Sequence, residues 1–251
     1  MSSWFRGRIV AFSPQVAVAI GLIILTASCG AIGGNEAAKG WPDVDFGVSA
    51  VQYRDTPERP LYVHIFAPDD IVDQRGSVLF FHGGGFARTR VEQFEHQARA
   101  IAANGMFAFI VEYRVTSEGT SVDDAIGDGA AALQWVRDNV ETFGLDPNRI
   151  AMAGGSAGGA LAVRAGGEPD AYVLFNPAVD SETEVTEVAT IAFHSREDQL
   201  VDFASVETFC AQLTLCDLVA FDVGDHGFFN TEPQLTETTE LMVEFLLANE
   251  W

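Results

Sequence analysis

Arg149-Ile-Ala-Met-Ala-Gly-Gly-Ser156-Ala-Gly-Gly-Ala160 decides how the rest of the chain is read. Residues 149–153 predict a short strand that runs straight into glycines, and the Ala- and Gly-rich residues after Ser156 predict a helix. A serine on such a turn needs small neighbours, because strand and helix come close there. The spacing Gly154-x-Ser156-x-Gly158 is not that of a dinucleotide-binding turn, which needs other glycine positions and an acid after the next strand. A phosphate-binding Walker loop needs a lysine, and Lys39 is the only one in the chain.

Outward from this turn, two patterns alternate. Residues 62–66, 77–81, 106–111, 171–175, 190–193 and 218–223 are strand-like runs, and 77–81 is continuously apolar after its serine, as in a strand buried on both faces. Residues 92–103, 123–143, 203–213 and 236–248 have helical character; the first stops near Asn104-Gly105 and the second at Gly144, both C-cap signals. Strands alternating with helices predict the α/β class, with a doubly wound, mostly parallel sheet. Ligands of such sheets bind outside the carboxyl ends of the strands, so reactive residues are expected directly after strands.

Composition removes whole classes of partner. The chain has 251 residues, 36 of them acidic and 14 basic, for a formal charge of −22. At 48 % hydrophobic and 11 % aromatic it is no disordered acidic tail. Nucleic acid is excluded as a partner, because phosphate binding needs clustered Lys and Arg. Most of the acidic excess is assigned to a solvated surface facing a salty exterior.

Four features follow predicted strands directly. Ser156 sits where a nucleophile would project its Oγ into a cleft. His82-Gly83-Gly84-Gly85-Phe86 follows the strand at 77–81. Its exposed N–H groups can face a developing oxyanion, and the hole is assigned to Gly84, Gly85 and the N–H of Ala157. His82 is assigned to bracing that loop. Asp198 follows the strand at 190–193, and His226 follows the strand at 218–223. Together they give the chain order Ser, Asp, His, in which His226 is the base and Asp198 orients it. A lone Ser, Asp or His is most often structural, and three glycines can be only a flexible loop; order and context together favour catalysis. Glu197 and Asp202 flank the acid position, but Asp198 lies where a turn can aim it at His226.

With these residues in view, the chain resembles the α/β-hydrolase fold esterases that carry HGGG and G-x-S-x-G motifs, near the hormone-sensitive-lipase and carbohydrate-acetylesterase branches. The resemblance runs from about residue 77 to residue 251. It includes Phe80-Phe-His-Gly-Gly-Gly-Phe86, Val111-Glu-Tyr-Arg114, Leu145-Asp-Pro-Asn-Arg-Ile150 and His226-Gly-Phe-Phe-Asn230. It implies a serine carboxylesterase acting on short acyl esters, acetyl by preference and on carbohydrate as one substrate class. No metal or organic cofactor is implied. Lipase-type relatives insert a cap after the serine, whereas here only residues 176–188 separate two strands, so a minimal form without a cap domain is expected. An open cleft suits a small acyl group on a bulky, soluble alcohol. Phe86 and Phe228 are candidates for lining the acyl pocket, against the plainer reading that each is core. A serine peptidase of the same fold would need a substrate-filtering domain or a site for the peptide terminus. A non-catalytic binding protein of this fold would be expected to have lost at least one of Ser156, Asp198, His226 or the glycines.

Residues 1–28 read as a signal peptide. Arg6 and Arg8 precede a twelve-residue apolar run at 16–27, too short to span a bilayer, and no acid occurs before Glu36. Leu25-Thr-Ala-Ser-Cys29 resembles a bacterial lipoprotein signal in which Cys29 is lipidated, although Thr26 stands where leucine is usual. Residues 29–47 read as a tether and 48–251 as the catalytic domain. The expectation is an exported protein, periplasmic or at the cell surface, touching the membrane only through that anchor. Export would let Cys210 and Cys216 pair as a disulfide, against the plainer reading of two small buried hydrophobes. Their spacing fits no zinc pattern.

Overall fold

Eight strands form one sheet in the computed structural model, which describes residues 45–69 and 75–251. They are β1 (Ser49–Asp55), β2 (Pro60–Phe66), β3 (Arg75–Phe81), β4 (Phe107–Val111), β5 (Leu145–Gly155), β6 (Ala171–Phe175), β7 (Ala189–Ser195) and β8 (Cys216–Phe221). The order is β1-β2-β4-β3-β5-β6-β7-β8; β2 pairs antiparallel with β1 and β4, and the remaining pairs are parallel. This is the doubly wound, mostly parallel sheet expected from the sequence.

Burial on both faces explains the apolar strands. Val78 and Phe80 pack in one cluster with Ala98 and Ile101 of α1 (Glu95–Ala103) and Met242 and Leu246 of α6 (Gln234–Ala248). Leu79 and Phe81 point the other way, into a cluster with Leu133 of α2 (Val122–Asp138), Leu161 of α4 (Ala157–Arg164) and Phe209 of α5 (Phe203–Cys210). Burying each such side chain contributes about 1.5–3 kcal/mol.

The structure revises several boundaries. The helix expected over 123–143 is broken at Asn139, whose backbone leaves the helical region and whose side-chain amide donates to the Trp135 carbonyl at 2.8 Å. Asparagine competes in this way with helix hydrogen bonds. The short α3 (Val140–Phe143) follows and ends, as expected, at a left-handed Gly144. Residues 92–94 belong to a 3₁₀ turn ahead of α1. β8 begins two residues before the predicted run, at Cys216, which a disulfide joins to Cys210 at the end of α5; their Cα atoms are 5.4 Å apart. β1 was not marked as a strand by sequence, because it is an edge with most side chains exposed. Phe46, assigned by sequence to the end of the tether, is buried against His64 and Phe66. The signal peptide, Cys29 and the tether up to residue 44 lie outside the described residues.

Topology fixes where a ligand can bind. From β3 the chain passes through α1 to β4 on one side, and then returns to place β5 on the other side of β3. The crevice at this reversal lies between the carboxyl ends of β3 and β5. Phe81 is in register with Gly154 there, so the loop after Phe81 lies beside the turn after Gly155. Residues 176–188, between β6 and β7, form no helix or strand. No helix among the described residues is long and apolar enough to cross a membrane.

Candidate active site

Ser156 occupies the turn between β5 and α4 with φ 53° and ψ −120°. A non-glycine residue at positive φ is strained and persists only where its surroundings impose it. Two glycines make that possible. A Cβ on Gly154 would lie 2.3 Å from the Gly158 carbonyl oxygen, and one on Gly158 would lie 2.0 Å from the Phe81 oxygen. Hydrogen bonds then pin the turn, from Ser156 N–H to Phe175 O at 3.0 Å and from Ala178 N–H to Ser156 O at 3.0 Å.

Three side chains from separate loops form a continuous hydrogen-bonded chain. Ser156 Oγ is 2.8 Å from His226 Nε2, and His226 Nδ1 is 2.7 Å from Asp198 Oδ2. With Nδ1–H donating to the carboxylate, Nε2 is left as acceptor for the serine proton. The other oxygen of Asp198 accepts from Leu200 N–H at 2.8 Å and Val201 N–H at 3.1 Å. Burial alone would raise the Asp198 pKa, but the bonds from Leu200, His226 and Val201 outweigh it and hold the carboxyl below the usual range. His194 braces the loop that carries this acid, with Nε2 3.0 Å from the Val201 carbonyl.

The glycine loop is braced from beneath. Gly83 N–H donates to Gln93 Oε1 at 2.6 Å, and Thr116 N–H donates to Phe86 O at 2.7 Å. Gly84 and Gly85, at φ 125° and 63°, line the crevice together with Ser156. Ala157 is the first residue of α4, where backbone N–H groups have no partner inside the helix. His82 stacks on Tyr113 with ring centroids 4.3 Å apart, and its Nδ1 lies 2.6 Å from the Gly83 carbonyl. It is fully enclosed, and burial lowers its pKa to about 4.

That displacement carries a stability prediction. Unfolded histidine takes a proton near pH 6.5, whereas folded His82 does so only near 4. Between these values the unfolded chain binds more protons, so stability falls as the pH is lowered through the window. The His82 contribution is on the order of 3 kcal/mol, and His194, also lowered by burial, acts in the same direction. The urea midpoint is therefore expected to be lower at about pH 4.5 than at about pH 6.5. Equal midpoints would contradict a buried neutral His82.

The crevice is a cavity of about 620 Å³ lined by residues of five connecting segments. Its aromatic wall is Phe229 and not either of the two phenylalanines expected from sequence. Phe228 is turned into the core against Phe221, and Phe86, at φ 57°, packs against the core cluster of the α2 side. The two adjacent phenylalanines at 228 and 229 point differently, and sequence alone does not tell which faces the cavity. Asn176 was also missed. It is buried at positive φ directly after β6, and its Nδ2 donates to the His226 carbonyl while lying 2.8 Å from Nδ1. Its local signal is Asn-Pro at the end of a buried strand, a place where asparagine tolerates left-handed backbone. Arg88, Arg90 and Gln93 line the same cavity.

A serine on a strained strand-to-helix turn, joined through histidine to a buried aspartate at the topological switch point, defines the α/β-hydrolase class of fold. A family model described as the alpha/beta hydrolase fold matches residues 78–232, and the chain belongs to that family. The chain is 30 % identical over 179 residues to carboxylesterase NlhH of Mycobacterium tuberculosis, covering 67 % of this chain and 53 % of that protein. Over 144 residues it is 31 % identical to the para-nitrobenzyl esterase of Bacillus subtilis, covering 52 % of this chain and 29 % of that one. The chain thus spans about half the length, or less, of these curated relatives. Among solved structures, the propionate-bound thermophilic esterase Est2 of Thermogutta terrifontis superposes with a TM-score of 0.76 at 28 % identity, covering 81 % of this chain and 94 % of that one.

Proposed function

We propose that the chain is a serine carboxylesterase that hydrolyses short acyl esters, acetyl by preference, on soluble alcohols such as sugars. The observation that carries this reading is the unbroken chain from Ser156 through His226 to Asp198 at a crevice over which the described residues place no cap. Esterase relatives of similar fold add support. Ser156 Oγ attacks the ester carbonyl while its proton passes to His226 Nε2. The N–H groups of Gly84, Gly85 and Ala157 receive the tetrahedral oxyanion, each donor being worth about 3–4 kcal/mol in such sites. Collapse expels the alcohol, which takes the proton from His226 and leaves an acyl group on Ser156. Water, deprotonated by His226, then releases the acid and restores the serine.

Chain-length preference tests the reading. The protein is expected to turn over p-nitrophenyl acetate faster than the butyrate ester and far faster than the octanoate ester. Acetate release from acetylated xylan then separates a carbohydrate esterase from a general one. An octanoate preference would overturn the short-acyl assignment, and no turnover of any ester would overturn the whole reading. The export and lipidation expected from residues 1–29 belong to the same proposal. A Cys29→Ser variant that stayed membrane-bound after export would contradict the lipid anchor.

Asn176 is assigned a positioning role, holding the main chain of His226. Its removal leaves a half-buried carbonyl without its donor, which costs at most about 1–3 kcal/mol. Asn176→Ala is expected to lower kcat by roughly tenfold or more with a smaller change in KM, because an ill-placed base harms the reaction and not the binding. Steady-state kinetics on p-nitrophenyl acetate measure this directly, and an unchanged kcat would dismiss the role.

A further inference from the structure

The loop after the three glycines carries Arg88 and Arg90, both exposed at the rim of the catalytic cavity. Among the described residues lining that cavity, Arg88, Arg90 and His226 are the ionisable ones, and no carboxylate is present. This is unexpected in a chain with 36 acids and 14 bases. Six other arginines are paired with those acids: Arg54 and Arg114 with Asp128, Arg59 with Glu112, Arg99 with Glu95, Arg149 with Asp146 and Arg196 with Asp222; Arg137 is held by the Gly167 and Glu168 carbonyls. The side chains of Arg88 and Arg90 make no hydrogen bond or ion pair among the described residues.

The backbone beneath them is fixed. Ala87 and Arg88 N–H groups both bond to the Gly84 carbonyl at 3.1 Å, and the Arg90 carbonyl accepts from Gln93 N–H at 3.0 Å. Two cations are therefore held on a braced loop, a few residues from the proposed oxyanion donors, with their charges unsatisfied. Phe229 and Ser156 lie among the more buried parts of the same cavity, whereas the arginines are at its exposed edge. Whatever they bind belongs to the part of the substrate that reaches solvent, which is the alcohol and not the short acyl group.

We propose that the substrate is an acyl ester whose alcohol part bears an anionic group, a carboxylate or a sulfate, that Arg88 and Arg90 hold at the rim. The inference rests on the esterase reading and narrows it from esters of any alcohol to esters of acidic ones, such as acetylated acidic sugars. Guanidinium pairs anions of this kind through charge-assisted, often bidentate hydrogen bonds. The net charge of the chain is strongly negative, so the two arginines at the rim give such a substrate a locally attractive approach to the site.

The test uses the full chain and three acetate esters: 4-acetoxybenzoate, 4-acetoxybenzenesulfonate and the neutral 4-acetoxybenzamide. The readout is the ratio of kcat/KM for each anionic ester to that for the neutral one, compared between the wild type and the Arg88→Gln/Arg90→Gln double variant. Intrinsic reactivity of the esters cancels in this comparison. The double variant is expected to lower the ratio about tenfold, mainly through KM. Adding sodium chloride should narrow the wild-type ratio, and Arg88→Lys/Arg90→Lys should restore part of it. A fall confined to the benzoate assigns a carboxylate, and a fall for both assigns either anion. A ratio that is unchanged in the double variant, including an equal loss on all three esters, overturns the proposal while leaving the esterase reading standing. If the wild type hydrolyses neither these three nor p-nitrophenyl acetate, the esterase reading fails; in any case where the three are not turned over, calorimetric binding of 4-hydroxybenzoate decides the anion site. Binding weakened by the double variant supports it, and equal or absent binding refutes it.

Discussion

Replacing Ser156 with alanine is expected to reduce ester turnover by about 10⁴- to 10⁶-fold, the range seen when a triad nucleophile is removed. The reasoning is geometric. Ser156 Oγ is the atom 2.8 Å from His226 Nε2, and alanine removes that atom while keeping Cβ in place. The strain at φ 53° is carried equally by alanine, so the turn is not perturbed further. The lost hydrogen bond is worth only about 0.5–1.5 kcal/mol of stability. Activity should therefore vanish with the melting temperature nearly constant. Residual hydrolysis of p-nitrophenyl acetate in the variant at more than a few per cent of wild type would mean that another group attacks the ester.

The largest effect on stability is expected far from the serine. Asp128 of α2 is fully buried and accepts from Arg54 Nη1 at 2.7 Å and from Arg114 N–H, Nε and Nη2 at 2.9 Å each. These bonds tie α2 to β1 and to the segment after β4. Glu58 and Asp124 also approach Arg114, at 3.3 and 3.4 Å, but both are at least partly exposed. Asp128→Ala would leave the nearly buried Arg114 guanidinium without its main partner. Removing one member of a buried pair costs about 3–5 kcal/mol, a large share of the margin of an ordinary domain. Urea unfolding measures it. A loss below about 1 kcal/mol would mean that Arg114 escapes to water or is satisfied by Glu58 and Asp124. Asp128→Asn keeps the volume and some acceptor capacity, so it should fall between the two.

Legibility from sequence followed the range of the interactions involved. The central strands were readable because burial on both faces leaves an unbroken apolar record. The turn at Ser156 was readable because its geometry forces glycine at 154 and 158, and that demand is local. Asp198 and His226 were reached through their positions after strands, which a doubly wound sheet brings to one edge. β1 was not readable, since an exposed edge strand needs no apolar pattern. Asn176 left a local mark in Asn-Pro after a buried strand, but its partner was not readable, because the contact is with a residue fifty positions away. The neighbours Phe228 and Phe229 show the limit most directly. They share chemistry and near-complete burial, yet Phe229 borders the cavity, stacks on Phe94 and packs at a tilt against Phe175, while Phe228 meets Phe221.

The bare connection between β6 and β7 has a use in engineering. Its first residues are anchored beside the Ser156 turn, since Asn176 N–H bonds to Phe193 O and Ala178 N–H to Ser156 O. Its last residues serve the scaffold, since Glu187 accepts from Thr214 and Leu215 N–H. Residues 181–184 between them make mainly a local turn with Asp180. A foreign segment grafted there would leave the anchors at both ends intact. The fold thus offers a port at which new selectivity could be installed without editing a reacting group.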